Sequence, residues 1–210
     1  MKRSSAFLSA AVLALSLALC GAARAAGKPI VVYFSMPETD RAENMTQPEE
    51  DSTVVIGGKV LGNTQYVAQL IQAHTGADIF RIEPKKPYPR SHGPLLDIAQ
   101  KEQRGKARPK MKENVKDLAQ YDVIFLGYPN WWADLPMILY TFLEANDLSG
   151  KTIVPFITHG GSGFSRTIRT IATLQPRAKV VTEGLSIYRD DVEGAEPEVA
   201  AWLKRLGHAK

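Results

Sequence analysis

The chain predicts a three-layer α/β fold, a parallel sheet with helices on both faces, and three observations carry that expectation. Short apolar runs of β type alternate with amphipathic helical patterns from Lys28 to about Leu206. Five strand–helix units follow in order, which right-handed crossovers fold into a parallel sheet. Turns suited to holding a ligand, Gly62 to Gln65, Tyr128 to Asp134 and Thr158 to Gly163, follow the first, third and fourth runs.

Ile30 to Phe34 is continuously apolar, as in a strand buried on both faces. Val67, Leu70, Ile71 and His74 repeat at helical spacing, and Gly76 is placed to end that helix. Ile79 to Ile82 reads as the second strand, and Leu95, Ile98 and Ala99 form the face of a short helix. Tyr121 to Leu126 is the third strand, stopped by Gly127-Tyr128-Pro129. Pro136 suits the first turn of a helix running to about Asn146. Lys151 to Thr158 reads as the fourth strand, although Pro155 removes one ladder hydrogen bond. Ile168, Ile171 and Ala172 mark the next helix, and Ala178 to Val181 begins a weaker fifth strand. Pro197, Val199, Trp202, Leu203 and Leu206 make the closing helix.

Connections in compact α/β domains usually span about two to six residues, so Met36 to Leu61 is an insertion after the first strand. Its first part carries Glu38, Asp40, Glu43, Glu49, Glu50 and Asp51 and is expected to be solvated. Its end, Val54 to Leu61, reads as a β-hairpin over Gly57-Gly58.

The first 26 residues read as a secretory signal peptide, leaving residues 27–210 as one domain. Lys2 and Arg3 form a positive start, Ala6 to Leu19 is apolar, and Ala23-Arg24-Ala25 is an A-x-A-like exit. The apolar stretch is short for a membrane span, and the expected location is the bacterial periplasm. Leu17-Ala18-Leu19-Cys20 resembles a lipobox, but Leu19 stands where a small residue is needed, which argues against lipid anchoring through Cys20. Cleavage would remove Cys20, the single cysteine, and with it thiol nucleophiles and disulfides. It would also remove Lys2, Arg3 and Arg24, taking the net charge from +4 to +1. A near-neutral domain gives no reason to invoke nucleic acid.

The chemistry is read from the three turns. A phosphate needs several N–H donors converging on one point, as at a turn entering a helix. Gly62-Asn63-Thr64-Gln65 offers that: Gly62 for close approach, and Asn63 or Thr64 as helix cap and donor. Ser35 can add a hydroxyl from the end of the first strand. These phosphate-turn residues include no lysine or arginine. In Tyr128-Pro129-Asn130-Trp131-Trp132-Ala133-Asp134, two successive indoles cannot both enter one core face, and they offer a surface for a flat ring. Thr158-His159-Gly160-Gly161-Ser162-Gly163 adds hydroxyls and flexible N–H groups. In an open α/β sheet, ligands bind at the carboxyl edge where strand order reverses. The three turns together point to a mononucleotide with a tricyclic ring, FMN.

On these residues the chain resembles the flavodoxin-like family, in the exported FMN-binding branch with a strand ending in serine and a later Gly-Asn-Thr. The likeness runs from Lys28 to about Leu206 and is strongest from Tyr121 to Gly163. It implies a five-stranded parallel sheet of order 2-1-3-4-5 and noncovalent FMN. By position it implies Ser35, Asn63, Thr64 and Gln65 at the phosphate, with Met36 nearby. Pro129, Asn130, Trp131, Trp132 and Ala133 would line one side of the ring, and Thr158, His159, Gly160, Gly161, Ser162 and Gly163 the other. Which indole stacks stays open. The chain departs from the family pattern in its split phosphate loop, its near-neutral charge, and in having His159 and glycines where many flavodoxins place a stacking tyrosine.

Other chemistries fit less well. In Gly160-Gly161-Ser162-Gly163-Phe164 a phenylalanine stands where a nucleophile elbow needs glycine. Neither glycine cluster fits the dinucleotide fingerprint, and His74, His92, His159 and His208 lack metal-ligand spacing. His159 is either a plain loop histidine or a group that steadies a reduced ring's charge. The basic stretch from Lys101 to Lys112 is either a solvated loop or a docking patch for an acidic redox partner. Two functions lead: an electron carrier serving a redox partner protein, or an FMN-dependent reductase of quinones or similar small electron acceptors, with no side chain required as acid or base; a third is a flavodoxin-like fold that has lost its cofactor.

Overall fold

The computed structural model describes residues 28–209. The segment read as a signal peptide, with Cys20, lies outside the described residues. None of the helices described is long and apolar enough to cross a membrane.

The first strand, β1 (Pro29–Tyr33), is followed by the insertion, which holds a short helix α1 (Gln47–Ser52) and a hairpin of β2 (Thr53–Ile56) and β3 (Lys59–Gly62). Gly57 and Gly58 at its tip have φ of +57° and +77°, the left-handed backbone that such a two-residue turn requires. Next come α2 (Asn63–Thr75), β4 (Asp78–Arg81), α3 (His92–Arg104), β5 (Val123–Pro129), α4 (Met137–Ala145) and β6 (Thr152–His159). The chain closes with α5 (Thr167–Leu174), β7 (Lys179–Val180), β8 (Leu185–Tyr188) and α6 (Glu196–Arg205).

All strands of the main sheet are parallel, in the order β4-β1-β5-β6-β7, with β8 also on β6. This is the order 2-1-3-4-5, and strand order reverses between β1 and β5. Alternation along β1 sends Ile30, Val32 and Phe34 to one face, where Leu95, Ile138, Leu139, Phe142 and Ile171 of α3, α4 and α5 cover them. Val31 and Tyr33 face the other side, under Val67 and Ile71 of α2 and Val199, Trp202 and Leu203 of α6. Burial on both faces is why the central strands read as continuous apolar runs.

Several boundaries differ from the sequence reading. The third strand runs on through Gly127 and Tyr128 to Pro129, in register with Phe156 to Thr158 of its neighbour. Pro136 caps α4 rather than entering it. The fifth strand is broken in two. Val181 N–H donates to Ile153 O at 2.9 Å, so odd-numbered residues of β6 turn their backbone groups toward this edge. Pro155 has no N–H to give there, and pairing stops until Phe156 meets Leu185. A Cβ on Gly184 would lie 2.7 Å from the Pro155 carbonyl oxygen, so glycine alone lets the chain pass this point. The insertion is also less solvated than its charge implies: Glu38 and Thr39 are buried, with the Glu38 carboxylate on His92 Nδ1 at 3.0 Å.

Candidate functional site

At the carboxyl edge over the β1–β5 reversal lies a cavity of about 360 Å³, inside the roughly 300–1,000 Å³ range of small-molecule sites. Of the residues singled out by sequence, Ser35, Met36, Asn63, Thr64, Pro129, Asn130, Trp131, Trp132, Thr158, His159 and Gly160 line it. Gln65, Ala133, Gly161, Ser162 and Gly163 do not; they shape the turns behind it.

The turn into α2 is pressed against the end of β1. A Cβ on Gly62 would overlap the Ser35 hydroxyl and stand 3.1 Å from Pro37, so the close approach requires glycine. Asn63 and Thr64 are the first helical residues and not caps. The Thr64 hydroxyl meets that of Thr158 at 2.7 Å, and Asn63 Nδ2 donates to Asp51 O at 2.9 Å. Gln65 Oε1 accepts from Gly62 N–H at 3.3 Å, reaching back over the turn. Among the described residues no side chain takes the other leading N–H groups of this helix, which leaves them and the positive dipole end for an anion.

The two indoles part company. Trp131 packs edge-on against Phe34 and Tyr88, with ring centroids 5.5 and 5.6 Å apart. Trp132 is 45% exposed. Trp131 and Asp134 exchange backbone hydrogen bonds at 3.0 Å, and Trp132 and Ala133 between them have φ of +52° and +59°. Left-handed backbone at a bulky residue is strained and concentrates at functional turns. The buried Asp134 fixes this one: its carboxylate accepts from Leu135 N–H, the Tyr140 hydroxyl and the Arg166 guanidinium at 2.9 to 3.3 Å. Asn130 Nδ2 donates to Gly163 O at 2.7 Å, tying the indole turn to the glycine turn.

Two acceptors in the cavity wall are buried with no hydrogen-bond partner among the described residues, Asn63 Oδ1 and Asn130 Oδ1. A buried polar atom without a partner costs about 1–3 kcal/mol, which makes both positions notable in the wall of a ligand cavity. Asn130, beside the indoles, suits an N–H on a ring edge. The cavity thus joins anion-binding N–H groups, an exposed indole and an orphaned ring-side acceptor, which fits a planar heterocycle carrying a phosphomonoester.

Sequence reasoning missed the cavity residues Glu38, Asp51, His92 and Arg189: the two acids read as part of a solvated stretch, and His92 and Arg189 arrive from distant segments. Arg189 follows β8, the strand half that lay beyond the reading of the fifth strand. The basic stretch, by contrast, is partly neutralised: Arg108 forms a two-pronged pair with Glu144 at 2.5 and 2.6 Å, and Lys112 meets Glu83 at 3.2 Å.

His159 accepts the Gly161 N–H at Nδ1, 2.9 Å away, so its neutral ring carries the proton on Nε2. Burial also holds its pKa below the usual 6.5. A lowered histidine pKa favours the folded state above the unfolded value and withdraws that support as pH falls through the folded one. Urea midpoints should therefore drop as pH falls from about 6.5 toward 5, and His159→Gln should lessen the drop. His208, lowered by burial and packed on Phe125, supplies a remaining part of the same sign.

A parallel sheet of order 2-1-3-4-5 with a ring-sized, phosphate-competent cavity at its reversal point defines the flavodoxin class of α/β proteins. The flavodoxin family model matches residues 53–206, and the chain belongs to that family. Solved structures agree on the fold. A provisionally assigned flavoprotein from Bacteroides eggerthii is 25% identical, with a TM-score of 0.59 over 87% of this chain and 99% of its own. A flavoprotein from Lactobacillus acidophilus, solved in complex with FMN, is 18% identical, with a TM-score of 0.57 over 81% of this chain and 98% of its own. None of the curated proteins compared with the chain matches it.

Proposed function

We propose that this flavodoxin-family protein binds FMN noncovalently, is exported to the periplasm, and transfers electrons through the cofactor to a redox partner. The observation that carries the reading is one cavity joining the α2 N-terminus to Trp132 and the orphaned Asn130 acceptor. The FMN complex of the related Lactobacillus acidophilus fold adds support. The N-terminal apolar segment, with its A-x-A-like exit, is the basis for export.

In this reading the α2 N–H groups with the Ser35 and Thr64 hydroxyls hold the phosphate. Trp132 covers one ring face, and Asn130 Oδ1 accepts a ring N–H. Thr158, His159 and Gly160 border the other side. When bound, FMN supplies one- and two-electron transfer; the chain orients it and limits water access.

A second reading, reduction of a quinone or similar small acceptor, draws on the exposed apolar side chains at the cavity mouth, Leu96 and Trp132. They leave room for a flat apolar molecule beside the ring, with His92 and its Glu38 partner on the same wall. Titration of the protein with FMN should give saturable quenching of tryptophan fluorescence and a shifted flavin absorbance band; no binding would refute the cofactor assignment. NAD(P)H oxidation by the loaded protein with a quinone then separates the readings, turnover marking a reductase and its absence a carrier.

A further inference from the structure

Arg189 opens the short turn Arg189–Asp191 directly after β8, and among the described residues it is the one arginine or lysine lining the cavity. Its Nη1 pairs with Asp51 Oδ2 at 2.7 Å, and both side chains are half-buried or more. The guanidinium lies beside the glycine turn, where a Cβ on Gly160 would stand 3.1 Å from Nη1. Asp51 in turn is tied to the start of α2, since its carbonyl accepts from Asn63 Nδ2. Arg189 thus bridges the glycine turn and the anion-competent end of the cavity, reaching the latter through the insertion.

The guanidinium is not saturated there. Nε is buried without a hydrogen-bond partner among the described residues, with Asp190 Oδ1 beside it at ion-pair distance, 3.6 Å. Arginine carries five donors in a planar fork matched to phosphate and carboxylate oxygens. Asp51 and Glu38 would otherwise give this cavity two carboxylates and no fixed cation against an incoming dianion.

We propose that Arg189 is the charged partner of the ligand's phosphate, held toward the cavity by Asp51, which competes with the phosphate for it. This rests on the FMN reading above and adds to it a cation delivered from outside the phosphate turn. The Nη end of the planar fork lets one guanidinium serve the carboxylate and the phosphate together, so the insertion becomes a working part of the site. Asp51 then sets affinity: it orients Arg189 but spends part of its charge.

The test compares FMN with riboflavin, which has the same ring and no phosphate, by tryptophan-fluorescence titration of the protein and its variants. Arg189→Gln is expected to weaken FMN by about 10- to 100-fold, the range of a charge-assisted hydrogen bond, and to leave riboflavin unchanged. Arg189→Lys should recover part of the loss, and Asp51→Asn should tighten FMN alone. Rising salt should weaken FMN binding to the parent protein more than to Arg189→Gln. Equal losses for both ligands, or no loss for either, would overturn the proposal while leaving FMN binding in place. A parent protein that binds neither ligand would overturn the FMN reading itself, and this proposal with it.

Discussion

Trp132→Ala is expected to cut FMN affinity by about 10- to 100-fold, the equivalent of roughly 1–3 kcal/mol of ring stacking, with stability changed by no more than about 0.5 kcal/mol. Trp132 is 45% exposed and closes no core void. Trp131→Ala should behave in the opposite sense. Its ring fills the space between Phe34 and Tyr88, and truncation should cost about 3 kcal/mol, toward the low end for a large aromatic because the side chain is only half-buried. For a domain of this size that is a fall in Tm of roughly 6–12 °C. Trp132→Gly sharpens the contrast. The residue sits at φ +52°, where glycine removes a backbone strain of about 1–2 kcal/mol, so this variant should melt higher while binding FMN worse. Urea denaturation beside FMN titration reads both quantities. Equal effects of the two alanine variants on stability and affinity would overturn this division of labour.

The same pair shows what the sequence carried and what it did not. That two adjacent indoles must face different surroundings follows from local geometry, and so does the presence of a turn. Which indole faces out depends on the left-handed backbone at Trp132 and Ala133, and that is set by Asp134 and its partners Tyr140 and Arg166. The central strands were legible because burial on both faces writes a local apolar run. The order of the strands follows from the resemblance, not from any single run.

What escaped is non-local. The fifth strand fails at Val181 because a proline in the neighbouring strand has no N–H to offer, and nothing within residues 181–184 reports that cause. Glu38 reads as a solvated acid in an acidic stretch, yet it is buried against His92. Arg189 escaped for the same reason: the strand that delivers it resumes only beyond the break. The phosphate turn itself holds no lysine or arginine, and the cation that lines the cavity, Arg189, stands on a different element.

Gly127→Ala is expected to be the most damaging single methyl in the sheet. Gly127 lies in the middle of β5, paired with Tyr33 on one side and Phe156 on the other. Its φ is not positive, so an alanine meets no backbone objection there. The objection is steric. A Cβ at this position would overlap the tip of the Phe156 ring, which is fully buried and packed with Phe125, Val154 and Trp202 in the core beneath α2 and α6. Overpacking of this kind costs about 1–3 kcal/mol and more where the neighbour cannot turn away, so a loss near the top of that range and a Tm lower by roughly 6–12 °C are expected. The strain should also reach the site, because Tyr128 and Pro129 follow directly and lead into the indole turn. The mechanism has its own check in a double-mutant cycle. Phe156→Ala alone should cost about 3–5 kcal/mol by opening a cavity, and Gly127→Ala added to it should be neutral or stabilising, since the new methyl then fills vacated space. If the two losses simply add, the glycine is required by something other than the Phe156 ring.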